Sequence, residues 1–122
     1  PGQTNELLEK AKQLEIPYWP GVMTPTDILL VQQAGYQEVK FFPAQQAGGI
    51  ELLKAFNGPF STMTFCATGG ITQENAKDYL SLYNVNCVGS SWLINNDDVQ
   101  QKNWAVMQKK CLWAKNINTQ TT

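Results

Sequence analysis

The chain has 122 residues, enough to bury one modest core, so a single domain is the starting expectation. Its 9 Lys+Arg against 10 Asp+Glu leave a net charge of -1, which offers nothing to attract a nucleic acid. It contains no histidine, and this excludes Ser-His-Asp and Cys-His nucleophile pairs, His-ligated metals and imidazole acid–base chemistry together.

In chain order, an amphipathic helix is expected first over residues 6–15, signalled at Thr4, with Leu7, Leu8, Ala11 and Leu14 on one face. A β-prone segment follows at 16–22. Thr24-Pro25-Thr26-Asp27 then reads as a strong helix start, with Thr24 as N-cap, Pro25 in the first turn and Asp27 as an acidic third residue, for a helix over 28–34 closed by Gly35. The next strand is expected over 38–44 and the next helix over 50–56, between Gly48-Gly49 and Gly58-Pro59. A third strand at 63–69 leads through Gly69-Gly70 to a helix over 72–82, and a fourth strand is expected at 85–91. From Asp97-Asp98 onward a last helix repeats Trp104, Met107, Cys111 and Ala114 at three- and four-residue spacing, which predicts core packing by the first three. Residues 117–122 read as a frayed polar tail.

The absence of a bilayer-spanning apolar run and of a secretory pattern predicts a soluble, cytoplasmic chain with no membrane partner. Cys66, Cys87 and Cys111 lack CxxC spacing and read as reduced, buried thiols. The chain opens at Pro1-Gly2 without methionine and reads as a fragment or a processed product.

Four strands alternating with helices, at a repeat of roughly 22 to 25 residues, specify an α/β fold with a parallel sheet. Two architectures satisfy this order: an open doubly wound sheet, or about half of a (β/α)8 TIM barrel. A half barrel leaves two sheet edges unpaired, so either a missing N-terminal half or pairing with another chain is expected.

Lys40 is the most informative residue. It interrupts an apolar strand, and burial there would favour the neutral, nucleophilic amine that attacks a carbonyl to form a Schiff base. The alternative is a strand-edge lysine whose stem snorkels to water. Alternation sets Lys40 and Phe42 on one face and Val39 and Phe41 on the other. Downstream, Thr68-Gly69-Gly70 and Gly89-Ser90-Ser91 end consecutive strands. Such loops either make tight turns or bring backbone N–H groups and helix N-termini to a phosphate. Asp97-Asp98 reads as dipole complementation rather than a metal site, and Trp19 as a barrel-wall aromatic rather than a cleft residue.

Taken together, Lys40-Phe41-Phe42-Pro43-Ala44, Thr68-Gly69-Gly70-Ile71 and Gly89-Ser90-Ser91-Trp92, with Pro20-Gly21-Val22-Met23-Thr24-Pro25 upstream, closely resemble the 2-keto-3-deoxy-6-phosphogluconate (KDPG) and 4-hydroxy-2-oxoglutarate aldolase family, in its C-terminal half. The resemblance implies a class I, metal- and cofactor-independent lyase of the Entner-Doudoroff pathway, built as a (β/α)8 barrel of which this chain supplies the last four βα units. It implies a homotrimer whose partners are small molecules, a phosphorylated 2-keto acid and pyruvate. By position, Lys40 matches the imine lysine, Phe42 the aromatic beside the pyruvyl group and Thr68 a substrate-contacting hydroxyl. Gly69, Gly70, Gly89, Ser90 and Ser91 match the phosphate site. Gln45, Ala67 and Ser90 stand where the family commonly has glutamate, proline and a second glycine. The family's acid–base glutamate and carboxylate-binding arginine lie on early strands that this chain does not contain, so as 122 residues it is expected to be inactive or nearly so. Two rivals are a half-barrel remnant or module that binds phosphorylated ligands without catalysis, and another phosphate-binding barrel enzyme in which Lys40 serves as a charge or an acid.

Overall fold

In the computed structural model, which describes residues 1–117, the first helix, α1 (Asn5–Gln13), starts where Thr4 accepts a hydrogen bond from the Leu7 N–H at 3.2 Å. Pro17 and Pro20 carry no N–H, so the segment expected over 16–22 contracts to a two-residue strand, β1 (Gly21–Val22). The Pro20 carbonyl still accepts from the Lys40 N–H at 2.9 Å. Helix α2 (Pro25–Gln33) opens with the expected capping box: Asp27 N–H donates to the Thr24 hydroxyl, and the Asp27 carboxylate accepts from the Thr24 N–H at 2.8 Å and the Met23 N–H at 3.0 Å.

Strand β2 (Glu38–Phe41) ends three residues early, because Pro43, joined to Phe42 by a cis peptide bond, leads into a helical turn, α3 (Ala44–Ala47), that alternation had concealed. Helix α4 (Gly49–Phe56) and strands β3 (Thr64–Thr68) and β4 (Val85–Gly89) follow close to expectation. Between β3 and β4, α5 (Ala76–Leu80) is shorter than the helix expected over 72–82; Thr72 and Asn75 cap each other, Thr72 N–H to Asn75 Oδ1 at 2.8 Å and Asn75 N–H to Thr72 Oγ1 at 3.3 Å. The expected last helix is two, α6 (Asn96–Gln100) and α7 (Trp104–Asn116).

The four strands form one parallel sheet in chain order, with no reversal. Alternation divides its faces. Val39, Phe41, Phe65 and Ala67 are buried against Ile28 and Val31 of α2, Leu53 and Phe56 of α4, and Ala76 and Tyr79 of α5. Phe56 is the hub of that layer, stacked on Phe65 at 5.9 Å and edge-on to Phe41 and Phe60 at 6.0 and 5.8 Å. The buried Asn84 donates from Nδ2 to the Leu53 carbonyl at 2.8 Å, fixing α4 to the turn before β4. Between β3 and β4 the register slips by one: Phe65 pairs with Val85, but Cys66 pairs with Cys87 and Thr68 with Gly89.

Helix α7 departs from expectation. None of its residues is buried: Trp104 is 58% exposed, Cys111 is exposed and Met107 is only partly covered. Its contacts run along an adjacent stripe instead. Lys110 pairs with Asp98 of α6 at 2.5 Å, Trp113 meets Trp92 edge-on at 5.2 Å, and Ile117, the first residue of the expected frayed tail, packs partly buried against the core. Residues 118–122, the rest of that tail, lie outside the described residues. No described helix is long and apolar enough to cross a membrane.

Partial burial works to raise the Asp27 carboxyl, but the N–H groups of Thr24 and Met23 and the Thr24 hydroxyl outweigh it and hold it below the ordinary carboxylate value. A depressed native value stabilises the fold above the unfolded-state value and loses that contribution as pH falls through the native one. Urea unfolding of Thr24→Ala at neutral pH is expected to show a loss of about 1 kcal/mol. Asp27→Asn is expected to flatten the acid limb of stability against pH.

Candidate functional site

The sheet face away from the helices carries the chemistry. Register places Gly21, Lys40, Cys66 and Cys87 in one row across all four strands. Lys40 is half-buried, turned away from the helix layer as the strand alternation predicts. Its ammonium has no hydrogen-bond or ion-pair partner among the described residues and lies 5.3 Å from the centre of the Phe42 ring.

Beyond that row, at the carboxyl ends of the strands, a cleft of about 530 Å³ is lined by Phe42, Thr68, Gly69, Gly70, Gly89, Ser90 and Ser91, and also by Ile71, Thr72, Trp92 and Asn95. All the predicted site residues except Lys40 therefore line one cavity, and Lys40 adjoins it through Phe42. Among the described residues the N–H groups of Gly70 and Ser91 have no protein acceptor, which leaves them for a ligand's oxygens. No carboxylate lines the cleft among the described residues. The expected helix dipole behind Gly69-Gly70 is displaced, since α5 begins only at Ala76.

Close packing shapes this cleft. Gly69 and Gly70 have φ of +100° and +72°, which side chains rarely adopt. A Cβ on Gly70 would stand 2.5 Å from that of Gln45, and one on Gly89 would stand 2.8 Å from the Thr68 hydroxyl. Gly70 is thus required by close approach as well as by turning, and Gly89 by close approach alone. The Ser90 hydroxyl donates to the Ile71 carbonyl at 2.5 Å, tying the loop after β4 to the loop after β3.

Two residues absent from the expected site hold the first loop. Asn75 donates from Nδ2 to the Gly70 carbonyl at 3.0 Å. Gln45 donates its backbone N–H to the Gly69 carbonyl at 3.1 Å, while its side-chain oxygen accepts from the Tyr79 hydroxyl at 2.8 Å. Burial raises the Tyr79 phenol above its ordinary value, so it stays a donor. Asn75 is signalled by the Thr-x-x-Asn spacing from Thr72; the Gln45–Tyr79 contact spans 34 residues and has no local signal.

Cys66 and Cys87 are half-buried and Cys111 is exposed, so the expectation of three buried thiols does not hold. Burial, the hydrogen bond that the Cys87 thiol donates to the Cys66 sulfur, and negative charge at Cys66 and Glu38 push the Cys87 thiol up to about 12, which keeps it protonated and unreactive. Trp19 does line a cleft, contrary to expectation, but at the opposite end of the strands, where its Nε1 donates to Glu38 at 3.2 Å. Asp97 and Asp98 occupy the first turn of α6, as dipole complementation predicts.

Gly70→Ala combines a left-handed backbone with a clash and is expected to cost about 1–3 kcal/mol. Gly58→Ala, with nothing within 4 Å, is expected to change stability by less than about 0.5 kcal/mol. Urea midpoints of the two variants provide the comparison.

Comparison with known proteins agrees with this geometry. The family described as KDPG and KHG aldolase matches residues 1–110. The 2-dehydro-3-deoxy-phosphogluconate aldolase of Pseudomonas aeruginosa is 43% identical over 109 residues, covering 89% of this chain and 50% of that protein. The KHG/KDPG aldolase of Escherichia coli K12 is 45% identical over 100 residues, covering 82% of this chain and 47% of that protein. The crystal structure of KDPG aldolase from Legionella pneumophila, with pyruvate captured at low pH as a covalent carbinolamine intermediate, superposes with a TM-score of 0.91 at 43% identity, covering 93% of this chain and 55% of that one. The chain thus spans about half the length of the curated relatives it matches. With nine-tenths of its length matched, the chain belongs to the KDPG and KHG aldolase family.

Proposed function

We propose that this chain carries the imine-forming lysine and the phosphate-binding loops of a class I aldolase that cleaves 2-keto-3-deoxy-6-phosphogluconate to pyruvate and glyceraldehyde 3-phosphate, with 4-hydroxy-2-oxoglutarate as a second substrate. One observation carries the reading: Lys40, beside the Phe42 ring, adjoins a cleft whose walls are the Gly69-Gly70 and Gly89-Ser90-Ser91 loops. An amine at one end and free backbone N–H groups at the other match a molecule with a ketone at one end and a phosphate at the other.

In this mechanism the Lys40 amine adds to the C2 carbonyl to give a carbinolamine, and loss of water leaves a protonated imine. The C3–C4 bond breaks, its electron pair moving into the imine to form an enamine. The C4 hydroxyl gives up its proton and becomes the aldehyde carbonyl of glyceraldehyde 3-phosphate. Protonation of the enamine at C3 and hydrolysis of the imine release pyruvate. Phe42 forms the apolar wall beside the pyruvyl methyl carbon, and the Thr68 hydroxyl contacts the substrate. Gly69, Gly70, Gly89, Ser90 and Ser91 surround the phosphate. No metal or cofactor enters these steps.

The unreversed order of the parallel strands supports a (β/α)8 barrel in which these are the last four βα units, the chain forming the C-terminal half of one aldolase domain. A homotrimer completes the reading by resemblance. The lack of a carboxylate along the cleft favours a second reading, a module that binds phosphorylated ligands without catalysis, because bond cleavage requires a group to take the C4 hydroxyl proton.

Borohydride reduction in the presence of pyruvate, followed by peptide mapping, separates the two. The aldolase reading expects a stable adduct on Lys40 that Lys40→Arg abolishes. Retro-aldol turnover by the 122 residues alone is expected to fall about 10²–10⁴-fold or more below that of a complete enzyme, for want of the acid–base group. A folded chain that binds a phosphate ester but yields no Lys40 adduct would establish the binding module instead.

A further inference from the structure

We propose that the Tyr79–Gln45 hydrogen bond positions the phosphate-binding loop relative to the imine strand, and so sets the preference for phosphorylated over non-phosphorylated 2-keto acids. The inference rests on the aldolase reading for its substrates and on the geometry for everything else. Gln45 lies five residues after Lys40, on the turn α3 that follows β2 directly. Its backbone N–H holds the Gly69 carbonyl, its Cβ fills the space that a Gly70 side chain would need, and its side-chain oxygen is held by Tyr79. Tyr79 is fully buried in α5, locked into the core by its ring, and its hydroxyl also limits Gly49, where a Cβ would come within 3.0 Å.

Three segments therefore converge on one amide: the strand that carries Lys40, the Gly69-Gly70 loop and the helix behind it. Gln45 itself is exposed and does not line the cleft, so it acts through the loop rather than on a ligand. Without the bond the Gln45 side chain turns to water, and the loop loses the prop that holds it at a fixed reach from Lys40. A substrate anchored at both ends feels that loss at its phosphate. One anchored only at Lys40 feels it far less.

Tyr79→Phe keeps the core ring and deletes the hydroxyl; Gln45→Met keeps side-chain length and deletes the acceptor; Gln45→Glu keeps an acceptor. Inorganic phosphate binding, followed by ³¹P NMR titration, and borohydride trapping of pyruvate would be measured on the full chain for each variant. Tyr79→Phe and Gln45→Met are each expected to weaken phosphate binding about three- to tenfold, the size of one neutral hydrogen bond. They should lower pyruvate trapping by a distinctly smaller factor. The double variant should be no worse than either single one, and Gln45→Glu should restore binding. Equal losses in both assays would make the pair merely structural, and no loss of phosphate binding, or none to lose in the parent chain, would overturn the proposal. Should Tyr79→Phe fail to fold, the exposed Gln45 pair of variants decides alone. A parent chain that binds phosphate but traps no pyruvate refutes the aldolase reading while leaving the brace testable through phosphate.

Discussion

The site depends on the near-contact of two backbone segments, the end of β2 from Pro43 to Gln45 and the Gly69-Gly70 turn after β3. A Cβ on Gly69 would lie 3.1 Å from Pro43 Cα, and one on Gly70 would lie 2.5 Å from Gln45 Cβ. Only glycine allows both the left-handed backbone and the approach. Because the segments touch, the strand that bears Lys40 and the loop that walls the cleft form one mechanical piece. The hydrogen bonds from Gln45 and Asn75 to successive carbonyls of that turn fix what the missing side chains permit.

The division of the sheet into two faces follows from a single alternation. Aromatic and branched residues of β2 and β3 meet one helix layer, where Phe41, Phe56, Phe60 and Phe65 interlock edge to face and by stacking. The opposite face holds Lys40, Cys66 and Thr68, half-exposed and polar. The slipped register between β3 and β4 places Gly89 beside Thr68 rather than out of step with it, and the hydroxyl then rests against the bare glycine backbone. Core and cleft are thus two results of one strand pattern, one apolar and closed, the other polar and open.

Much of this was legible in the residues. Lys40 opposite Val39 and Phe41, the Thr24–Asp27 box, and glycines at consecutive strand ends each carry a local signal whose physics does not depend on the rest of the chain. What escaped was set at a distance or by competition. The turn α3 hides in an apolar run that reads as strand. The Gln45–Tyr79 bond joins residues 34 positions apart. On α7 two adjacent stripes share the same spacing, and periodicity alone cannot tell which faces protein. The stripe with Lys110, Trp113 and Ile117 does, because Asp98 and Trp92 offer it partners. β1 shrank because its prolines fit an extended chain but cannot donate to a ladder.

The pairing of Trp92 with Trp113 gives the cleft an uneven thermal character. One wall, around Gly69, packs against Pro43 and the fully buried Ala44. The other includes Trp92, whose indole rests on a helix with no buried residue. Segments with little buried surface open at lower free energy than the core. The cleft should therefore soften from the Trp92 side first, so the temperature at which it loses its shape is set by the undocking of a peripheral helix, below the melting of the domain.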